Sequence, residues 1–307
     1  MSQLSKLMQV TEDQKKMILK EHNMTEEDFQ NSVEVLKTWL VQNENFSENA
    51  AHENMLKVAL LNCKMSVEKA KRTYEGYLTV KTQYADFFEK LIPNEEFKKI
   101  ADLSINIIMP KLLPDLCRLH ISKITDSFGE AADGLDYYIM PLMIAQLRIL
   151  NDFFLSNEIL IDMENISLKV LLKFTPSVNY KLVHLLSAVN LRVHHIHIIN
   201  APPIYDKIFF LLKSFLPAKF VDKVLNHASL EELHKHVPKD YLPSDYGGTE
   251  KSMKEMQELW SKELEANDSV LRDFRNLKVK SITQHSRQIL DDMGMGVEGS
   301  FKTLTID

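Results

Sequence analysis

Glycine is scarce in this chain, with 8 residues in 307. No G-x-x-x-x-G-K-[ST] loop is present, and Gly294, Gly296 and Gly299 fall in a loose tail. The strand-to-helix setting that lets glycines cradle a nucleotide phosphate is therefore missing. Cysteine is scarcer still. Cys63 and Cys117 alone exclude a disulfide framework and point to a reducing compartment. Long hydrophobic runs are lacking too. The most apolar window, 137–147, contains Pro141 and Gln146 and is too short to span a bilayer. The first residues, 1–10, have neither an apolar core nor a cleavage pattern, so no signal peptide is expected. Basic residues are outnumbered 37 to 43, giving a formal charge of −6 and arguing against a general nucleic-acid surface. With no G-x-S-x-G elbow and no obvious activating histidine beside either cysteine, an enzyme is not expected.

What is present reads as two kinds of structure. Residues 11 to about 100 are helix-rich. Thr11 and Thr25 each precede acidic residues, which is N-cap chemistry followed by charges that suit a helix start. Phe29, Val33, Leu36 and Leu40 recur at helical spacing, and Ser66 opens a helix whose face carries Ala70, Tyr74 and Tyr77. After Pro114 the pattern changes. Cys117, Leu119 and Ile121 alternate with Arg118, His120 and Ser122, which predicts a strand with one polar face. Helices are expected over 136–154 and 167–191, strands over 158–162, 193–199 and 224–227, and a strongly apolar helix over 204–216. Strands alternating with helices predict a mainly parallel sheet. The stretch 249–288 is charged and helix-prone.

Six segments, in order and spacing, carry a resemblance to a known family. They are Cys63 to Lys71, Phe174-Thr-Pro-Ser177, His197-Ile-Ile-Asn200-Ala-Pro202, Phe215-Leu216, Leu233-His234-Lys235-His236 and Leu242-Pro-Ser-Asp-Tyr-Gly-Gly248. Together they resemble the CRAL-TRIO lipid-binding family over roughly residues 25 to 260. Departures occur at Asn62, where an Arg is usual, at Cys117-Arg118 in place of Gly-Arg, and at Met163-Glu164-Asn165, where the turn often ends in Gly. They warn against copying a ligand from any one relative.

The resemblance implies an α/β fold in three parts: an all-helical N-terminal domain over 1–100, a CRAL-TRIO lipid-binding domain over 101–250, and a C-terminal helical extension and tail over 251–307. A mainly parallel sheet with flanking helices would form a lipid pocket closed by a lid helix. The expected cargo is a small hydrophobic molecule such as a retinoid, tocopherol, carotenoid or other terpenoid; phospholipid or phosphoinositide exchange is the alternative. The lid, 204–216, is apolar on two faces. Ile204, Ile208, Leu211, Leu212 and Phe215 form one stripe, which Tyr205, Phe209 and Leu216 extend. Ligand-wall candidates are Tyr138, Met140, Met143, Ile144, Leu147, Leu182, Leu185, Leu186, Ile196, Tyr205, Ile208, Leu212, Phe215 and Leu216. Between 192 and 223 five bases face two acids, a net +3. Positions that bind a phosphoinositide head group in tocopherol-carrying members hold Arg192, His194, Lys219 and Lys223 here; with Ile204 and Leu211 they form the expected membrane contact. A monomer in the cytoplasm, transiently on anionic membranes and without a cofactor, is the resulting expectation. The close histidines His194, His195 and His197 do not by themselves make a metal site: on a regular strand His195 and His197 share a face and His194 points away.

Overall fold

The computed structural model describes residues 6–47, 52–125, 127–128, 133–175, 177–178, 181, 185, 191–203, 205–213 and 218–292. The N-terminal half opens with helices α1 (Glu12–Glu21), α2 (Glu26–Gln42), α3 (Glu53–Asn62), α4 (Val67–Gln83), α5 (Ala85–Phe88) and α6 (Glu95–Ala101). The expected caps are present. Thr11 forms a capping box with Gln14, Thr25 accepts from the Asp28 amide, and Ser66 accepts from Lys69. Each satisfies one of the amides that a helix start leaves unpaired. Phe29, Val33, Leu36 and Leu40 are all buried on α2.

A five-stranded sheet follows, with strands β1 (Ser104–Leu112), β2 (Cys117–Ile124), β3 (Ser156–Asp162), β4 (Val193–Ile199) and β5 (Val224–Asn226). Their spatial order is the sequence order; β1 runs antiparallel to β2 and the other pairings are parallel. β1 was not expected. Its run Ile105-Asn-Ile-Ile-Met-Pro110 does not alternate, because both faces are buried, and it contains a proline. Proline is tolerated in a strand only at an edge or irregularity, and β1 is an edge strand whose register shifts between Ile108 and Leu112.

Helix α7 (Ile139–Asn151), entered through a 3-10 turn at Asp136–Tyr138, connects β2 to β3. Helix α8 (Leu168–Leu171) opens the stretch expected to be helical over 167–191; Ser177, Val178, Lys181 and Leu185 are helical as well, and Pro176 lies outside the described residues. Helices α9 (Tyr205–Leu212) and α10 (Ala218–Val221) lead into β5, and α11 (Leu230–His234) follows it. The chain then turns at Gly247, whose φ of 71° is left-handed. A Cβ at Gly248 would stand 1.9 Å from the Leu242 carbonyl oxygen, so this position admits no side chain.

The charged C-terminal stretch is structural. Helices α12 (Met253–Ala266), α13 (Asp268–Asn276) and α14 (Gln284–Asp292) pack back on the body of the protein. Trp260 is fully buried and donates from Nε1 to the Ile108 carbonyl oxygen at 3.0 Å, while the Gln257 side chain accepts from the Asn106 amide at 3.0 Å. These bonds satisfy β1 groups that an edge strand would leave open. One apolar core runs from Leu7 through Met109, Met143 and Leu160 to Leu290, joining all three segments of the sequence. Replacing Trp260 by alanine should therefore cost about 3–5 kcal/mol in urea unfolding. A loss below about 1 kcal/mol would mean that α12 is peripheral.

Candidate functional site

The site begins with the two faces of the sheet. Leu119, Ile121, Leu160 and Ile199 point to one face and are buried. On the other face, Ile159, Ile161 and Ile196 stand in β3 and β4, away from either edge, yet remain half-buried. Helix α9 lies over that second face. Tyr205 and Phe209 stack at 5.6 Å and join Met163, Ile198, Ile161, Ile196 and Val224 in one small apolar cluster. The far side of α9 carries Asp206, Lys207 and Phe210, all exposed, with Phe210 at 65%. Within 205–213, aromatic side chains of α9 thus turn both to the sheet and to solvent.

Helix α7 flanks the same face. Its half-buried positions Leu142, Ala145 and Ile149, with Tyr138 of the preceding 3-10 turn, recur at helical spacing. Met140, Met143, Ile144 and Leu147 project elsewhere and are at most 1% exposed in the shared core. Sequence hydrophobicity alone could not separate these two stripes. Leu185 is buried at 4% in that core. Leu182, Leu186, Ile204, Phe215 and Leu216 lie outside the described residues, as do the side chains of Ile208, Leu211, Leu212 and Lys219.

Between β2 and α7 lies a buried polar cluster, built on the polar face of β2. Arg118 is 0% exposed. Its guanidinium meets both Asp152 carboxylate oxygens, at 2.6 and 3.1 Å, and donates to the Pro110 carbonyl at 2.5 Å. Arg148 reaches the same Asp152 at 3.1 Å and Asn157 at 3.0 Å. Burial pushes the Asp152 carboxyl up, but the two guanidiniums outweigh it and hold it below the ordinary range. Three neighbours were not foreseen. His120 Nε2, both amide atoms of Gln146 and Arg148 Nη2 are buried without a hydrogen-bond partner. Burial, then the Arg148 charge, lowers the His120 pKa to about 4, so its ring is neutral. Unpartnered buried polar atoms cost about 1–3 kcal/mol each and call for a water or a ligand to complete them.

A second feature lies at the amino ends of β2, β3 and β4. A cleft of about 590 Å³ is lined by Lys64, Lys69, Arg192 and Lys223, with Glu21, Asp115 and His194. Four fixed cations thus face two acids. Lys64 and Leu116 line it with φ of 51° and 65°, conformations that cost non-glycine residues energy and that cluster at functional sites. Lys64 and Lys69 come from the α3–α4 region and were not anticipated, because they are more than a hundred residues from Arg192 in sequence. Arg192 also bonds the Leu61 carbonyl and the His22 ring, each at 3.1 Å, and Lys223 donates to the Val193 carbonyl. His194 does not point away. The β3–β4 register shifts between Asn157 and Ile159, and this irregularity sets His194 Nδ1 2.9 Å from Asp115 and 3.5 Å from Glu158.

Residues 150–248 match the family model described as CRAL/TRIO domain. The chain carries a CRAL/TRIO domain. Similarity to curated proteins falls in the same size range. The alpha-tocopherol transfer protein-like protein of Mus musculus is 36% identical over 93 residues, 30% of this chain and 27% of that protein. Clavesin-1 of Rattus norvegicus is 31% identical over 93 residues, 30% of this chain and 26% of its own length. The matched stretch thus spans about a quarter of these relatives. A solved structure titled "Crystal structure of Sfh5" aligns over 81% of this chain and 92% of that one, at 10% identity and a TM-score of 0.45. The CRAL/TRIO match takes in β3, β4, α9 and the Tyr246-Gly-Gly turn. Tyr246 donates to Asp162 Oδ2 at 2.9 Å, and Asn200 donates to Asp162 Oδ1 at 2.9 Å. The turn after β5 is thereby fastened to the carboxyl end of β3. Among the described residues, no helix is long and apolar enough to cross a membrane.

The Arg118–Asp152–Arg148 cluster holds α7 against the sheet. Asp152→Asn leaves two buried guanidiniums without their shared carboxylate and should cost about 3–5 kcal/mol. Because the folded-state pKa is depressed, the stabilisation is complete at neutral pH and disappears as pH falls through the folded value, below the ordinary carboxylate range. Urea unfolding of the wild type and variant between pH 7 and pH 3 checks both statements. A difference that stays constant through that window and below it would contradict them.

Proposed function

We propose that this protein binds and transfers a small hydrophobic ligand, held between the sheet face of Ile159, Ile161 and Ile196 and the lid α9. The supporting observation is the half-buried state of these isoleucines in inner strands of a sheet whose opposite face is packed solid. Central-strand isoleucines are normally among the most buried residues. The names of the alpha-tocopherol transfer protein-like relatives accord with this reading. The wall proposed here comprises Tyr138, Ile196 and Tyr205, with Leu182, Leu186, Ile208, Leu212, Phe215 and Leu216; Leu185 is assigned to the core, and on α7 the wall shifts from Met140, Met143, Ile144 and Leu147 to Leu142, Ala145 and Ile149.

Burying about 15 methylene equivalents at ~0.8 kcal/mol each supplies roughly 12 kcal/mol before the costs of immobilisation. A ligand with one hydroxyl or carbonyl would direct it to His120 and Gln146. Such an end fits a retinoid or tocopherol. The alternative, phospholipid exchange, draws support from the excess of one positive charge in Arg118, Arg148 and Asp152, which favours an anionic head group. Extraction and mass spectrometry of the lipid that copurifies with the full chain separates the two. A terpenoid carries the first reading and a phospholipid replaces it with the second.

The cleft of Lys64, Lys69, Arg192 and Lys223, together with Ile204, Leu211 and Lys219 of the lid region, is proposed to meet an anionic membrane. Opening α9 there would move its apolar surface into the bilayer interface, so the membrane favours the open form. Changing Lys64 and Lys69 together to Glu should weaken binding to vesicles rich in phosphatidylserine by about tenfold or more, with uptake of the extracted ligand in solution unchanged. Parallel loss of both activities would refute a separate membrane role for the cleft.

A further inference from the structure

The opposite face of the sheet carries a cluster that neither ligand uptake nor membrane contact uses. Glu158 of β3 is buried at 3%. Its Oε1 lies 2.5 Å from His197 Nε2 and 3.1 Å from His195 Nδ1. His197 is fully buried; the His195 side chain is 33% exposed. These three ligand atoms all lie within 4.8 Å of one another. The far nitrogen of His197, Nδ1, is 2.8 Å from His227 Nε2, beyond the end of β5. We propose that Glu158, His195 and His197 form a binding site for a single divalent transition-metal ion of the zinc class, with His227 as the positioning residue for His197.

Three features favour an ion. The ligand types suit it, since two imidazoles and one carboxylate form a borderline set preferred by Zn²⁺ over Mg²⁺ or Ca²⁺. The spacing is within reach. Tetrahedral bonds of about 2.1 Å set ligand atoms roughly 3.4 Å apart, so the His195 pair already nearly fits and the His197 pair opens by about 1 Å. The surroundings are prepared. When the ion takes Nε2 of His197, the ring proton resides on Nδ1 and is accepted by His227, which fixes the tautomer. The half-exposed His195 gives the ion an entry path and leaves a fourth position for water. Such an ion would tie β3 to β4 and, through His227, to the end of β5.

Glu158 also takes part in a second set with Asp115, Cys117 and His194, whose ligand atoms likewise lie within 4.8 Å of one another. We favour the first set because two of its three members converge on a single carboxylate oxygen and its buried histidine is already held from behind.

The test uses the untagged full chain, stripped with a chelator and titrated with Zn²⁺ in a calorimeter and with Co²⁺ in a spectrophotometer. One ion per chain and the visible bands of tetrahedral Co²⁺ are expected. His195→Ala should weaken binding at least tenfold; His227→Gln should weaken it about 10- to 100-fold. Cys117→Ser should leave binding unchanged. His195 is partly exposed, so His195→Ala remains informative if Glu158→Gln does not fold. Absence of saturable binding, full affinity without His195, or dependence on Cys117 would each overturn the assignment.

Discussion

Four strands laid side by side in sequence order, each parallel to the last, constrain everything else in this protein. Successive right-handed crossovers that advance in one direction all fall on the same side of a sheet. The connections containing α7, α8 and α9 must therefore share one face. The other face is left to the segment after β5, which α11 and the Tyr246 turn fill. The proposed cargo site and α9 thus fall on one face, and the fastening of Tyr246 to Asp162, with the histidine cluster, on the other.

Buried charge sets the rigid side of the sheet face beneath α9. Arg118 and Arg148 share Asp152, an arrangement whose loss is expensive although its net contribution is modest, because desolvation opposes the attraction. What it supplies is position: the carboxyl end of α7 is pinned beside β2, while the His120 and Gln146 side chains remain unpartnered nearby. Helix α9, by contrast, meets the sheet through aromatic contacts of Tyr205 and Phe209. Apolar contact is non-directional, which suits the lifting and closing proposed for this segment.

Much of this was legible in the chain. The N-caps at Thr11, Thr25 and Ser66 and the strands β2 to β5 follow from local pattern. The failures have physical causes. β1 escaped notice because a strand buried on both faces loses its alternation and this one contains Pro110. The pairing of Arg118 escaped notice because no local signal announces a carboxylate 34 positions away. His194 defied strand alternation because of the register shift opposite Asn157. The basic cleft was half visible: Arg192 and Lys223 were named, but Lys64 and Lys69 reach it only through tertiary packing. Met143 and Leu142 are equally apolar in sequence, and only the packing of α7 separates core from candidate wall.

The central claim is that the face beneath α9 encloses a hollow able to receive an apolar guest. Ile196→Trp places a large side chain into that space, and the unfolding free energy of the variant reads the result without knowledge of the guest. A hollow accommodates the ring, so stability should be unchanged or raised while uptake of the copurifying ligand is lost. A loss of about 1–3 kcal/mol, the usual consequence of overpacking a filled interior, would contradict the account.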